Sequence, residues 1–136
     1  MFGSLDVSTS ALVAQRIRMD TIAGNVANAY TIHRADGQPG PYKRRFVVFS
    51  EGDGKGGKGV HVQKVMEDQS PGRMAYEPDH PDAIKNGKWK GYIEYPNVES
   101  ITEMTNAMLA SRAYEANIAA MDATKRMISS SLQLLA

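Results

Sequence analysis

Cysteine is absent from this 136-residue chain, and tryptophan occurs once. Without cysteine there is no disulfide framework, no thiolate nucleophile and no zinc–thiolate site. No apolar run approaches the ~20 residues that a membrane span requires. The formal net charge is only +1, so no bulk electrostatic pull toward nucleic acid or anionic lipid is implied. The opening stretch, MFGSLDVSTSALVAQRIRMD, lacks the basic region and unbroken apolar run of a cleavable signal. If the protein leaves the cytoplasm, it is expected to do so without a cleaved signal peptide.

Proline and glycine are nearly missing from both ends. All six prolines and ten of the twelve glycines fall within residues 31–96. From Ser4 to about Ala27 a helix is expected, because Leu5, Leu12, Met19 and Val26 recur every seven residues. That line is a narrow coiled-coil-like seam rather than a broad globular face. The stretch GNVANAYT then supplies stop signals. A second helix is expected to open after Pro96 with Asn97 as N-cap, in preference to a Ser100–Glu103 capping box, and to run to Leu135. Tyr114, Met121, Ile128 and Leu135 again recur every seven residues, with Ile118 and Leu132 on the adjoining position.

The two ladders match if the second helix returns antiparallel along the first. Leu5 then lies near Leu135, Leu12 near Ile128, Met19 near Met121 and Val26 near Tyr114. The second helix would overhang by roughly 20 Å at its N-terminal end, where Ile101, Met104, Met108 and Leu109 continue the apolar pattern. Tyr92, Ile93 and Tyr95 are expected to cover Ile101 and Met104, leaving Met108 and Leu109 to neighbouring molecules.

Between the helices, RRFVVF, GVHVQKVM, RMAYE and GYIEY are short β-type runs divided by turn residues, and EGDGKGGKG is a flexible hairpin tip. The expected fold is α+β, with two long terminal helices packed as an antiparallel coiled-coil-like hairpin. Residues 1–30 and 97–136 form a discontinuous helical domain around a β-rich insert, residues 31–96. So few seam side chains cannot offset the entropy of ordering both helices, so the missing burial is expected from other molecules. Alanine fits this reading, since small side chains let helices approach closely.

Catalytic and ligand motifs fall short. Gly52 to Lys58 spells G-x-x-x-x-G-K, but Gly59 stands where the magnesium-binding hydroxyl belongs, and a strand follows instead of a helix. Asp79, His80 and Asp82 share a proline-rich turn with no metal-binding spacing. Glu67, Asp68, Glu77 and Asp79 read as solvated loop charges rather than an acid–base pair. Lys43, Arg44 and Arg45, beside Tyr42 and Phe46, read as a strand edge kept soluble by charge rather than a nucleic-acid site. The methionines Met104, Met108, Met121 and Met127 read as adaptable packing. No cofactor, metal, small-molecule substrate or nucleic acid is expected.

ALVAQRIRMDTIAGNVANAYT resembles the signature of flagellar rod and hook axial proteins, in which an NN.AN..T pattern ends the first helix. EDQSPGRMAYEPDHPDA, GYIEYPNV and EMTNAMLASRAYEANIAAMDATKRM narrow the resemblance to a proximal-rod subunit. On this chain the motif positions are Asn25, Asn28, Ser111, Arg112, Tyr114, Glu115 and Asn117. Gly24 departs from the usual Asn, and the loops Glu51–Gly59 and Ile84–Lys90 look peculiar to this sequence. The resemblance implies a structural subunit without catalytic activity. It implies helical assembly with copies of itself and other rod proteins, near a rod-base adapter protein and the membrane-embedded ring. It also implies transit through the flagellar type III export apparatus to a rod that crosses the periplasm. The other reading of the helices is a monomeric adaptor or chaperone-like binding protein of the export system.

Overall fold

The computed structural model describes residues 2–135. Met1 and Ala136, the outer bounds of the expected helical domain, lie outside the described residues. In chain order the elements are α1 (Phe2–Ala27), β1 (Arg45–Glu51), β2 (Val60–Glu67), β3 (Arg73–Tyr76), β4 (Tyr92–Tyr95) and α2 (Ser100–Leu135). The fold is α+β. Each expected β run became a strand, and they pair as two separate antiparallel hairpins, β1 with β2 and β3 with β4. Among the described residues no helix is long and apolar enough to cross a membrane.

α1 has no proline to interrupt it, and its small polar residues bond back to the preceding turn. Thr9 Oγ1 donates to the Leu5 carbonyl at 2.9 Å and Thr21 Oγ1 to the Ile17 carbonyl at 2.8 Å, so these hydroxyls do not compete for other backbone partners. The helix ends where Asn28 Nδ2 donates to the Gly24 carbonyl at 2.8 Å and Thr31 Oγ1 to Asn28 Oδ1 at 3.1 Å. These bonds satisfy groups that a helix end leaves unpaired. Gly24 itself has open space where a Cβ would sit, so its departure from Asn relieves no crowding.

The β1–β2 hairpin lies along α1. Asn25 brackets Arg45 at the start of β1, while Val60, opposite Glu51, donates its N–H to Ser10 Oγ at 3.1 Å. The strand from Arg45 to Glu51 and the helix from Asn25 back to Ser10 both span roughly 20 Å, at ~3.3 and ~1.5 Å per residue. At Gly59 φ is +133° and a Cβ would collide with Ser10, so close docking demands glycine there. The hairpin tip is an Asx-turn: Asp53 Oδ1 accepts from the N–H groups of Lys55 and Gly57, both at 2.8 Å. Those bonds hold the Asp53 carboxyl below its ordinary pKa.

The centre of the molecule is polar. Asn25 and Glu103 are both fully buried. Asn25 Nδ2 donates to the Arg45 carbonyl at 2.7 Å and to Glu103 Oε2 at 2.9 Å. Its Oδ1 accepts from the Arg45 N–H at 2.8 Å and the Tyr42 hydroxyl at 3.0 Å. All four hydrogen bonds open to an asparagine amide are therefore made. Glu103 Oε1 accepts from Arg44 Nε at 2.6 Å, a charge-assisted bond. Asn97 continues the network: its Oδ1 accepts the Arg44 N–H at 2.8 Å and its Nδ2 donates to the Asp68 and Ser70 carbonyls.

Two expectations are corrected here. Asn97 is not the cap of α2, which begins at Ser100. Its amide is committed to Arg44 and the chain after β2, and Thr102 Oγ1 bonds Glu99 Oε2 at 2.9 Å beside the helix start. Nor does Glu103 turn back to close a capping box, because Asn25 and Arg44 hold its carboxylate. The second correction concerns register. The Asn25–Glu103 bond sets the last turn of α1 beside Glu103, roughly 16 Å along α2 from Tyr114, so Val26 does not lie opposite Tyr114. The only fully buried residues of α2 are Glu103 and Ala110, both upstream of Tyr114. The uncovered end of α2 is consequently its C-terminal end, where Leu134 is 88% and Leu135 85% exposed.

Removing the amide would orphan several of these buried groups at once. Asn25→Ala is expected to destabilise the chain by about 3 kcal/mol, the upper end for one substitution, read as a lowered urea midpoint by circular dichroism. Burial raises the Tyr42 phenol above its ordinary pKa of 10.0, with Arg45 opposing. A group raised by folding contributes stability that is complete below its unfolded pKa and lost as pH rises through the folded value. Tyr42→Phe should therefore lose about 1 kcal/mol at neutral pH yet show a shallower stability loss above about pH 10 than the parent.

Candidate assembly surface

Few apolar side chains are inside. The buried hydrophobic residues are Ala14, Ile22, Ala29, Ile93 and Ala110. Large apolar side chains lie outside instead, and among the described residues half of them are on α2. Ile101, Met104, Met108 and Leu109 stand exposed on its first half, and Met127, Leu132, Leu134 and Leu135 on its last turns. Exposed apolar area of this extent is more than a single folded chain usually leaves to water.

The expected seam residues divide into two groups. Leu5, Leu12, Met19 and Val26 on α1 are half-buried, as are Tyr114, Met121 and Ile128 on α2. Ile118, Leu132 and Leu135 are exposed. Of the motif residues, Asn25 and Asn28 hold the end of α1 as described. Ser111, Tyr114 and Asn117 are half-buried, and Arg112 and Glu115 are exposed. Asn117 Nδ2 bonds its own helix at the Ala113 carbonyl, 2.9 Å away.

Met108 and Leu109 are exposed, as expected of residues left to neighbours, but Ile101 is 76% exposed and Met104 58%. The expectation that the insert covers Ile101 and Met104 is wrong. The three residues assigned to that cover are engaged elsewhere. Ile93 is buried in the insert's own centre. Tyr95 donates its hydroxyl to Glu77 and meets the Tyr30 ring edge-on at 6.1 Å. Tyr92 packs on Tyr76 and Trp89. What remains beside Ile101 is an open cleft of about 660 Å³, walled by Tyr30, Pro71, Arg73 and Pro96. Arg73 lies over the rings of Tyr30 and Tyr95, at 5.8 and 5.4 Å.

Reading the residues alone missed Tyr42, Arg44, Asn97 and Glu103 as one network. A signal did exist, since three basic residues opening a strand and an acid one turn into a helix are complementary charges. Nothing in one sequence pairs them across the insert.

Among the described residues no group of three or more histidine, cysteine, aspartate or glutamate residues is placed to hold a metal ion. The arrangement can bind through shape, apolar area and hydrogen bonds.

Two family models match, one at each end of the chain. The model described as flagella basal body rod protein covers residues 5–31, and the one described as flagellar basal body rod FlgEFG protein C-terminal covers residues 90–134. The flagellar basal-body rod protein FlgC of Borreliella burgdorferi is 39% identical, over 99% of this chain and 97% of that protein. That of Bacillus subtilis is 38% identical over 98% and 97%, and that of Salmonella typhimurium 41% identical over 95% and 93%. With likeness of this degree along almost its whole length, the chain belongs to the FlgC family of flagellar basal-body rod proteins.

Proposed function

We propose that the terminal helices form a discontinuous helical domain, residues 1–30 and 97–136, that packs against neighbouring subunits in the inner tube of the proximal rod, with residues 31–96 outside. As a member of its family the chain is a structural subunit of the flagellar basal-body rod and not an enzyme, and it assembles with other components of the basal body. The carrying observation is the number of large apolar side chains left exposed on α2 between Ile101 and Leu135. Burying a leucine or methionine side chain contributes ~1.5–3 kcal/mol, so these residues hold more apolar stabilisation than the interior does.

Within this reading, α2 returns along α1 as an antiparallel coiled-coil-like pair in the register fixed by Asn25 and Glu103. Leu5, Leu12, Met19, Val26, Tyr114, Met121 and Ile128 line the seam between the two helices and its margins. Ile118, Leu132 and Leu135, together with Ile101, Met104, Met108 and Leu109, meet other subunits. Those subunits are copies of the chain and the other proximal-rod proteins, with the rod-base adapter and the membrane-embedded ring as neighbours at that end. Export through the flagellar type III apparatus without a cleaved signal, to a rod crossing the periplasm, completes the proposal. A monomeric export adaptor would not need so much apolar surface left open.

The reading is tested at residues that the lone chain does not bury. Met127→Asp combined with Leu134→Asp should leave the isolated chain's unfolding free energy within about 0.5 kcal/mol of the parent's. It should abolish rod incorporation and swimming, because the new charges would be unpaired in a dry interface. Normal swimming by that variant would remove the last turns of α2 from the interface. In hydrogen exchange of the isolated chain, protection should be greatest around Glu103–Ala110 and lowest beyond Met127, since unsupported helix is marginal in water. Uniform protection along α2 in a dilute monomer would favour the adaptor.

A further inference from the structure

The loop between β3 and β4 carries chemistry that helix packing does not use. Its two limbs pair: Ile84 N–H donates to the Tyr92 carbonyl and Gly91 N–H to the Ile84 carbonyl, both at 2.9 Å. The pairing holds a cleft of about 390 Å³ in shape, with Tyr76, His80, Ile84, Lys85 and Lys90 on its walls. Gly91 makes the closeness possible, since its φ is +82° and a Cβ there would stand 2.7 Å from the Tyr76 ring. Tyr76 is 64% exposed and Trp89 46%. Tyr92 lies between them, 5.1 Å from the Tyr76 ring and 5.3 Å from Trp89, with Lys88 Nζ over the indole. Large aromatic groups seldom stand this open unless they meet a partner.

The cleft lining itself carries Lys85, Lys90 and His80 and no carboxylate. Of the acids nearest in sequence, Glu77 accepts from the Tyr95 hydroxyl, Asp82 lies 3.1 Å from His33 Nε2 and 3.8 Å from Nδ1 of the wall residue His80, and Asp79 is exposed in the turn before His80. Lys85 and Lys90 have no ion-pair partner among the described residues.

We propose that this cleft binds an acidic saccharide. A sugar ring has an apolar C–H face that lies flat on an aromatic wall, here Tyr76. Its hydroxyls suit His80 and the loop backbone, and a ring carboxylate would lie between Lys85 and Lys90. The volume is at the lower end of the ~300–1,000 Å³ range of small-ligand sites, room for one or two sugar rings. A nucleic-acid strand needs a run of cations along its backbone and several free stacking faces, whereas Tyr76 is the one large aromatic ring on the cleft wall. A bilayer surface needs apolar residues at the leading tip, whereas the tip here is Lys85, Asn86, Gly87 and Lys88.

The single tryptophan makes the site its own reporter. The full chain is titrated with a glucuronate-containing tetrasaccharide while Trp89 emission is followed. A saturable change is expected, weakened about tenfold or more both by carboxyl reduction of the sugar and in the Lys85→Gln/Lys90→Gln variant. That variant changes only exposed side chains, and its circular dichroism should match the parent. Tyr76→Ala should abolish the response, and Tyr76→Phe should keep it. No saturable change, an equal response to the carboxyl-reduced sugar, or indifference to the lysine substitutions would overturn the proposal. So would a response confined to oligoglutamate or to phosphatidylglycerol vesicles.

Discussion

A carboxylate with no access to water stands where the two helices meet the start of the β1–β2 hairpin. Glu103 comes from the second helix, Asn25 from the first, and Arg44 from the insert, one residue before β1. A buried acid without partners would be costly, and removing one member of a buried pair leaves the other uncompensated. The chain must therefore bring Asn25 and Arg44 to Glu103 whenever it folds, although 78 and 59 residues separate them from it in sequence. Once they meet, the register of the helices is settled. Arg45 is clasped at both its backbone groups, and β1 is aimed along α1. Asn97 then ties the exit from β2 to the approach to α2.

Such a junction specifies geometry while adding little net stability, because what the bonds gain is largely what desolvation costs. The apolar interior around it is slight, since among the described residues three of the five buried hydrophobic ones are alanine. Alanine contributes little burial but allows close approach, which suits a helix whose main partners are other molecules. In the proposed packing, the large apolar groups stand where neighbouring subunits would reach them. A chain that spent Met108, Met127 and Leu134 on a private core would be more stable alone and less able to join a rod.

The parts of this arrangement governed by local rules were legible in the sequence. Both helices and all four strands followed from heptad spacing, alternation and the crowding of glycine and proline into the middle. Met108 and Leu109 are exposed as expected, but not for want of cover, since α1 does reach this stretch of α2 at Glu103. What failed was long-range. The seven-residue ladders admit several registers that differ by whole heptads, and apolar periodicity cannot choose among them. The choice was made by a polar contact that periodicity does not see. Asn97 reads as a helix cap by local preference, but the unpaired N–H of Arg44 and the carbonyls after β2 competed for the same amide and won. Ile101 was misplaced for a related reason. Tyr92 and Tyr95 were near enough to cover it, yet other aromatic rings and the Glu77 carboxylate offered them better partners.

The division of labour between the two helices follows from the same contact. α1 is occupied on two sides, by α2 and by the β1–β2 hairpin, and its apolar residues are mostly half-buried. α2 is gripped at Glu103 and Ala110 and becomes progressively freer toward Leu135. A helix anchored at one end and open at the other can present a long face to an incoming subunit without first breaking contacts of its own. Because the anchor is polar and desolvated, that face cannot slide by a turn to improve a neighbour's fit without stripping Glu103 of its partners. The register inside the subunit thus constrains the register between subunits. In the proposed assembly, resistance to slippage would then come from one buried carboxylate in each chain as well as from the apolar contacts along its surface.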